Sequence, residues 1–177
     1  LLLAASAGAE TLVSNGFNQS TAPAGWATNL VASTGGNPQL QFRASGPYPA
    51  VTAYEGANYV SFNSYDCYAG SSFRLAHTNG VSTRGCLDAT VVFAWHQDSS
   101  LDGNDDRVIV EWSTNRTDWI GPEGFEGTYY RYNSSDTGWQ LKSYSLPAAA
   151  LGRDELFIGF RFVSEYQRLK EPTGMLW

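Results

Sequence analysis

The chain has 177 residues and a formal net charge of −6, and this length suffices for one domain with a substantial hydrophobic core. Its 11 basic side chains form no cluster of the kind that binds nucleic acid. No apolar run approaches the ~18 residues of a membrane span. We therefore expect one acidic domain with neither a nucleic-acid site nor a membrane span.

The N-terminus is similar to the end of a secretory signal peptide. Residues 1–5 are apolar, like the last part of the hydrophobic region, and Ala7-Gly8-Ala9 supplies the small residues of a cleavage site. The alternative interpretation is a short apolar strand of the mature fold. On the first interpretation, residues 1–9 are a signal-peptide remnant, residues 10–166 are the folded domain, and the protein is secreted or lies on the cell surface.

Short strand patterns follow along the chain, separated by turns that contain Gly, Pro and Asn. The shorter candidates are residues 39–43, 58–62, 72–77 and 127–132. One helical turn is predicted at residues 148–151, after Pro147. Many short strands at regular spacing are typical of a sandwich or a jelly roll.

The second half of the chain gives the clearest strand signals. Residues 90–95 form a nearly continuous apolar run, as expected for a strand inside a two-sheet sandwich. Residues 105–119 combine a strand, a tight polar turn and an aromatic side chain, Trp119, that closes the turn. The last strand pattern alternates, with its large apolar residues at Leu156, Ile158, Phe160 and Phe162. Together these patterns predict an all-β fold, namely a two-sheet antiparallel β-sandwich of the jelly-roll type.

The chain contains two cysteines, Cys67 and Cys86. An even number of cysteines in a secreted chain favours a disulfide. Two buried free thiols are the alternative. Neither cysteine has a second Cys or His at the spacing of a metal site, so the expectation is a disulfide between Cys67 and Cys86.

Residues 96–106 form an acidic loop. Within nine residues this loop carries four carboxylates and one amide: Asp98, Asp102, Asn104, Asp105 and Asp106. Oxygen ligands on a flexible, Gly-containing loop suit Ca²⁺, which binds about six to eight oxygens. The alternative is a solvated loop in which Asp, Asn and Gly serve the turn geometry. The sequence therefore predicts a calcium site here and leaves the solvated loop open.

The aromatic segment 128–133 contains the candidate ligand-binding side chains. Strand alternation places Tyr130 and Tyr132 on one face and Tyr129 and Arg131 on the other. One face belongs to the core, and the other is available to stack on sugar rings or to contact a protein partner. Cross-strand packing is the competing interpretation.

Catalytic patterns are weak. His96 and Asp98 resemble a base and its orienting acid, but neither a nucleophile elbow nor an H-E-x-x-H motif accompanies them. Trp119 and Trp139 are interpreted as structural residues of a turn and a strand. The sequence therefore predicts a protein that binds other molecules and does not catalyse.

An ordered set of motifs extends over about residues 11 to 166. It consists of P-A-G-W at 23–26, G-A-N-Y-V-S-F at 56–62, D-R-V-I-V-E-W-S-T at 106–114 with Trp119, and the blocks 139–146 and 156–162. In this order the motifs resemble the choice-of-anchor J and cleaved-adhesin modules of bacterial surface proteins, which are relatives of the animal MAM domain. The resemblance implies a MAM-like jelly roll that binds glycan or protein at the cell surface.

The tail departs from this resemblance. Residues 167–177 show no strand alternation and contain Pro172, where the related modules finish with a further strand. A sandwich without that strand has an open sheet edge that can pair with other chains. The second predicted function is therefore a structural subunit of an extracellular assembly or filament that self-associates by strand exchange.

Overall fold

The computed structural model describes residues 2–5, 10–47, 50–98, 106–132 and 137–165, the first of these segments as backbone only. Over these residues the protein consists of β-strands and loops, with two 3₁₀ turns at Ser64–Asp66 and Ala148–Ala150. This confirms the predicted all-β fold. The described part of the chain contains no helix long and apolar enough to cross a membrane.

The strands are numbered in chain order. They are β1 (Leu2–Ala5), β2 (Glu10–Ser14), β3 (Trp26–Ala32), β4 (Leu40–Arg43), β5 (Ser45–Pro47), β6 (Ala50–Thr52), β7 (Tyr59–Phe62), β8 (Ser72–His77), β9 (Ala89–Gln97), β10 (Arg107–Ser113), β11 (Thr128–Tyr130), β12 (Gly138–Ser145) and β13 (Phe157–Val163). Sheet A has the strand order β12-β9-β1-β2, and sheet B has the order β11-β10-β13-β8-β3. The pairs β4-β7 and β5-β6 form two small sheets. All of these strand pairings are antiparallel.

The hydrophobic core lies between sheets A and B. Sheet A contributes Val91 and Phe93 of β9, and sheet B contributes alternate residues of β10 and β13. These residues of sheet B are Val108, Val110, Trp112, Ile158, Phe160 and Phe162. Because the inner faces of two antiparallel sheets share one core, the fold is a β-sandwich, and the alternation predicted for the last strand is confirmed.

The outer face of sheet B is covered as well, which the sequence did not indicate. Glu111 of β10 is only 3% exposed, and its two carboxylate oxygens lie 2.8 Å from Arg74 Nε and 2.7 Å from Arg161 Nε. Trp119 lies against Gly159 of β13. This layer of charged and aromatic side chains shields the outer side of β13, so that strand is buried on both faces.

Several strands match the sequence patterns closely. β8 has the predicted bounds, 72–77, and the predicted helical turn is the 3₁₀ turn at Ala148–Ala150. The sequence patterns missed β2 and β3. Apart from the buried Trp26 at the start of β3, both strands mix exposed and half-buried positions without a regular alternation. Their sequences therefore show no period of two.

The segment expected to be a signal-peptide remnant contains a strand. Residues 2–5 form β1, which lies inside sheet A and pairs with both β2 and β9. This matches the alternative interpretation of the segment as a strand of the fold. The signal peptide concerns the processing of the chain and stays a prediction, and the tail 167–177 lies outside the described residues.

The two cysteines are free, so the predicted Cys67–Cys86 disulfide is not formed in this structure. Cys67 is fully buried close to Asp106, which immediately precedes β10, and its thiol donates to the carbonyl oxygen of Asn63 at 3.0 Å. Cys86 lies just before the beginning of the nine-residue strand β9, whereas Asp106 is joined through Arg131 to Asp98, the residue that follows the other end of β9. A disulfide requires Cα atoms within about 7 Å, and residues at opposite ends of such a strand do not meet that requirement.

Candidate functional site

A cavity of about 1330 Å³ is lined by residues of β7, β9 and β12. Core side chains such as Phe93 and Phe160 form part of its wall, and polar side chains such as Arg43 and Asn58 form another part. Ligand pockets in proteins are commonly apolar clefts of about 300–1,000 Å³ with a few polar groups. This cavity is therefore large enough for a ligand of several rings.

One wall of the cavity is an aromatic cluster, which we define as Tyr54, Tyr59, His96 and Trp139. Trp139 is its centre. The ring centre of Trp139 lies 6.1 Å from that of Tyr54, 6.0 Å from that of Tyr59 and 5.3 Å from that of His96. Tyr59 and His96 meet Trp139 at 77° and 82°, the edge-to-face arrangement that aromatic pairs favour, and Tyr54 is tilted against it at 60°.

Strand pairing brings the aromatic cluster together. Trp139 near the start of β12 lies directly opposite His96 of β9. Since Val91 and Phe93 of β9 face the core, alternation puts His96 on the other face of sheet A. The indole Nε1 of Trp139 donates to the carbonyl oxygen of Thr52 at 2.9 Å, which ties β6 to this face.

Tyr54 gives the aromatic cluster an accessible ring. It lies in the segment between β6 and β7 and is 47% exposed, whereas the other three rings are half-buried. Leu141, two residues after Trp139, is 63% exposed and lines the same cavity. The cluster thus combines a rigid, packed centre with an apolar surface that a ligand can reach.

Burial changes the ionisation of two members of the cluster. It lowers the pKa of His96 below its ordinary value, an effect that Asp98 opposes and Arg131 reinforces. It raises the pKa of the Tyr59 hydroxyl, and the charge of Arg43 partly counters this. Both groups are therefore held in their neutral forms, in which they offer hydrogen bonds and ring faces to a ligand.

A polar cluster lies at another part of the cavity wall, around Arg131. The guanidinium lies 3.8 Å from Asp98 and 3.7 Å from Asp106, and it donates to Ser64 Oγ at 3.2 Å. The backbone N–H of Glu165 donates to Asp106 Oδ1 at 2.9 Å. Arg131 therefore bridges the two ends of the acidic loop and offsets their charge.

The predicted calcium ligands are only partly within the described residues. Asp98 and Asp106 are brought together around Arg131, while Asp102, Asn104 and Asp105 lie outside the described residues. In the described part of the chain, no group of three or more His, Cys, Asp or Glu side chains is arranged to hold a metal ion. Two carboxylates already paired with an arginine fall short of the about six to eight oxygens that Ca²⁺ takes, so the described ligands do not by themselves fit calcium.

The four candidate ligand-binding residues have different environments. Tyr129 packs edge-on against Phe93 with ring centres 5.1 Å apart, and its hydroxyl donates to the carbonyl oxygen of Ser143 at 2.5 Å. The carbonyl oxygen of Tyr130 accepts the indole N–H of Trp95 at 3.0 Å. Tyr129 therefore joins the two sheets through its ring and hydroxyl, and Tyr130 joins them through its backbone carbonyl.

Arg131 and Tyr132 differ from these two tyrosines because both line the cavity. The guanidinium carbon of Arg131 lies 4.9 Å from the ring centre of Tyr132, a cation–π distance. Of the four predicted residues, these two are the ones that line the cavity.

Sequence reasoning missed the aromatic cluster. It interpreted Trp139 as a strand residue and gave no role to Tyr54 or Tyr59. The only local signal was the abundance of aromatic residues, which form 14% of the chain. This signal does not distinguish packed rings from rings at a cavity.

No protein-family model, no curated protein and no solved structure matches this chain. The resemblance to choice-of-anchor J and cleaved-adhesin modules therefore stays a hypothesis.

Proposed function

We propose that this protein is an extracellular, non-catalytic binding module whose cavity recognises a neutral glycan. The observation that carries the proposal is the aromatic cluster around Trp139, which lies in the wall of a cavity of about 1330 Å³. Tyr and Trp have an apolar ring and a polar tip. They suit sugars, whose rings have apolar C–H faces and polar hydroxyl edges.

The charges around the cavity favour a neutral ligand. Its lining contains three arginines and three acidic residues: Arg43, Arg107, Arg131, Glu55, Asp98 and Asp106. Their formal charges cancel. A cavity for sulfated or uronate-containing glycan would carry an excess of positive charge, whereas balanced donors and acceptors suit sugar hydroxyls.

The exposure of Tyr54 suggests where the ligand makes its first contact. Tyr54, Tyr65 and Leu141 are exposed apolar side chains of the cavity lining, and Tyr54 packs directly on Trp139. Binding hot spots are enriched in Tyr, Trp and Arg, and this cavity offers Tyr54, Trp139 and Arg131 together. A sugar ring stacked on Tyr54 would have polar side chains of the lining as hydrogen-bonding partners, among them Asn58 and Arg43, which lies opposite Tyr59 in the β4–β7 pair.

Immobilised neutral and acidic polysaccharides, probed with the full chain, test the proposal. The expected result is saturable binding to a neutral class. That binding should weaken at least about tenfold in Tyr54→Ala and in Trp139→Ala, in line with the loss of one hot-spot side chain. Phe125→Ala is the matched control, because Phe125 is 81% exposed and does not line the cavity.

Two results would contradict the proposal. One is an absence of binding to every neutral polysaccharide. The other is binding that Tyr54→Ala and Trp139→Ala leave unchanged. Trp139→Ala also removes the hydrogen bond to Thr52, so the accessible Tyr54 provides the cleaner comparison.

A subunit of an extracellular assembly is the second candidate function, and an edge strand favours it. β3 is the last strand of sheet B, and its Leu30 and Val31 are 55% and 38% exposed. An exposed apolar edge is a site for pairing with another chain. Sedimentation of the full chain and of Leu30→Lys tests this: self-association that the lysine abolishes would support the assembly role, and a monomer at all concentrations would contradict it.

A further inference from the structure

Strand β1 is a central strand of sheet A and connects β9 to β2. Residues 2–5 pair with residues 92–89 of β9 on one side, and with β2 between Glu10 and Ser14 on the other. In the order β12-β9-β1-β2, no other strand joins β2 to β9. A four-residue segment therefore provides the whole hydrogen-bonded connection between two parts of the sheet.

Removal of β1 would leave a groove one strand wide. Neighbouring strands lie about 4.8 Å apart, so β2 and β9 stand about two such spacings from each other. Each would then present unpaired backbone N–H and C=O groups to the gap. Both borders are held in place by core contacts, since Val91 of β9 belongs to the core and Leu12 and Val13 of β2 pack against it.

Direct closure of this groove is unfavourable. β1 runs antiparallel to both neighbours, so β2 and β9 run parallel to each other. Pairing them directly would insert a parallel pair into an otherwise antiparallel sheet and would pull β2 away from its core contacts. A strand inserted between β2 and β9 pairs with the backbone groups of both strands, keeps the sheet antiparallel and leaves the core contacts of β2 in place.

The chain places a predicted cleavage site at the end of this strand. Ala7-Gly8-Ala9 matches a signal-peptidase site, and Glu10 is the first residue of β2. Hydrolysis of the Ala9–Glu10 bond consumes one water, leaves a carboxylate on Ala9 and an amine on Glu10, and separates β1 from the rest of the domain. After the cut only noncovalent pairing holds β1 in place, so it can leave the groove, and β2 is not shortened.

We propose that the groove between β2 and β9 is a strand-acceptor site, which in the processed protein binds an extended segment of a partner polypeptide. β1 defines that segment: at least four apolar residues, large and then small as in Leu2-Leu3-Ala4-Ala5, that run antiparallel to both borders. A processed second copy is not the occupant, since it has lost the same four residues. The site lies in the backbone of sheet A, so the inference does not depend on the proposed glycan function.

A nicked full chain tests the proposal. A specific protease site placed within residues 6–9 lets the intact chain fold before it is cut, and the probe is a fluorescent peptide with the sequence of residues 1–9. The expected result is that the nicked protein takes up one labelled peptide by exchange, with saturation and a rise in melting temperature. The uncut chain should take up none, because its own β1 fills the groove.

A peptide with Ala4→Pro is the matched control. Proline removes one backbone donor from a strand that is paired on both sides, so this peptide should bind at least tenfold more weakly. A nicked protein that unfolds when its peptide leaves and refolds only when peptide is added supports the proposal. Any one of three results would overturn the proposal. The first is loss of β1 with neither peptide uptake nor a change in melting temperature, and the second is equal binding of the proline peptide. The third is formation of peptide-free dimers by the nicked chain, which would make a second copy the occupant.

Discussion

The indole of Trp119 lies directly against Gly159, on the face of sheet B that points away from sheet A. A β-carbon on Gly159 would lie 2.7 Å from Trp119 Cζ3 and 3.1 Å from Arg74 Cδ. The Trp119 ring is fixed from two sides, since its Nε1 donates to the carbonyl oxygen of Arg116 at 3.0 Å and the Arg74 guanidinium lies 4.6 Å from its centre. The turn after β10 is thereby packed onto β13.

Gly159→Ala should destabilise the fold, because the added methyl group forces the indole away from β13. Overpacking of this kind costs about 2 kcal/mol. Urea denaturation measures the loss. Gly121→Ala is the control, since a β-carbon there would meet Ile109 Cγ2 at an ordinary 3.8 Å. Equal stabilities of the two variants would show that Trp119 does not pack on Gly159.

Glu111→Gln should also destabilise the protein, by about 3 kcal/mol, because it leaves two arginines beside a neutral, buried side chain. The carboxylate of Glu111 is 3% exposed and pairs with both Arg74 and Arg161. Asp154→Asn is the matched control: Asp154 pairs with Arg84, but both side chains are more than two-thirds exposed. Such surface pairs contribute little, so the control should melt like the parent, and a Glu111→Gln variant that does the same would contradict the prediction.

The sequence predicted the strands of the core but not the strand order. β8, β9 and β13 bury one face or both faces, and their apolar residues therefore alternate or form a continuous run in the sequence. β1 has only four residues, which are too few to show either pattern. Its place between β2 and β9 depends on long-range backbone pairing, which four apolar residues do not specify.

The candidate site was harder to predict than the fold. The aromatic cluster comes from three segments that lie far apart in the sequence, with Tyr54 and Tyr59 in the first, His96 in the second and Trp139 in the third. They meet only because β12 pairs with β9 and the β6–β7 segment folds over this pair. The tyrosines at 129 and 130 formed a conspicuous local motif, yet the structure uses them to join the sheets. A local aromatic pattern records strand alternation, whereas a binding cavity is assembled by tertiary contacts.

The two cysteines should differ sharply in reactivity. Burial, with the nearby charges of Asp66 and Asp106, raises the pKa of the Cys67 thiol to about 11, and the thiolate is the reactive form. A maleimide at neutral pH should therefore label Cys86 alone in the native protein and both cysteines in denaturant. Intact mass spectrometry without reductant reads this directly. Native protein that takes up no label, with two labels appearing only after reduction, would instead establish the Cys67–Cys86 disulfide.

Calcium binding by the loop from Asp98 to Asp106 predicts a higher melting temperature with calcium than with a chelator, because an ion that binds only the native state stabilises it by mass action. Asp106→Asn should reduce this shift. Asp154→Asn, which changes an exposed carboxylate elsewhere, should leave it intact. If neither a melting shift nor heat in titration calorimetry is observed, the loop is a solvated acidic turn.

His96 gives the stability a defined pH dependence. Burial lowers its pKa in the folded protein, while the unfolded chain has the ordinary value of 6.5. Below about pH 6.5 the unfolded state therefore binds a proton that the folded state resists. The stability contribution is present above that pH and is lost as the pH falls through the folded-state value.

The melting temperature should accordingly fall between about pH 7.5 and pH 5.5, above the range in which most Asp and Glu side chains titrate. His96→Gln should make this fall smaller, because glutamine keeps a polar group beside Trp139 without a titrating ring. His77, which packs on Trp26 with ring centres 5.2 Å apart, also has a pKa lowered by burial. His77→Gln should therefore remove a second, independent part of the fall in melting temperature. A double variant whose melting temperature falls as much as that of the parent would show that neither imidazole is held neutral by the fold.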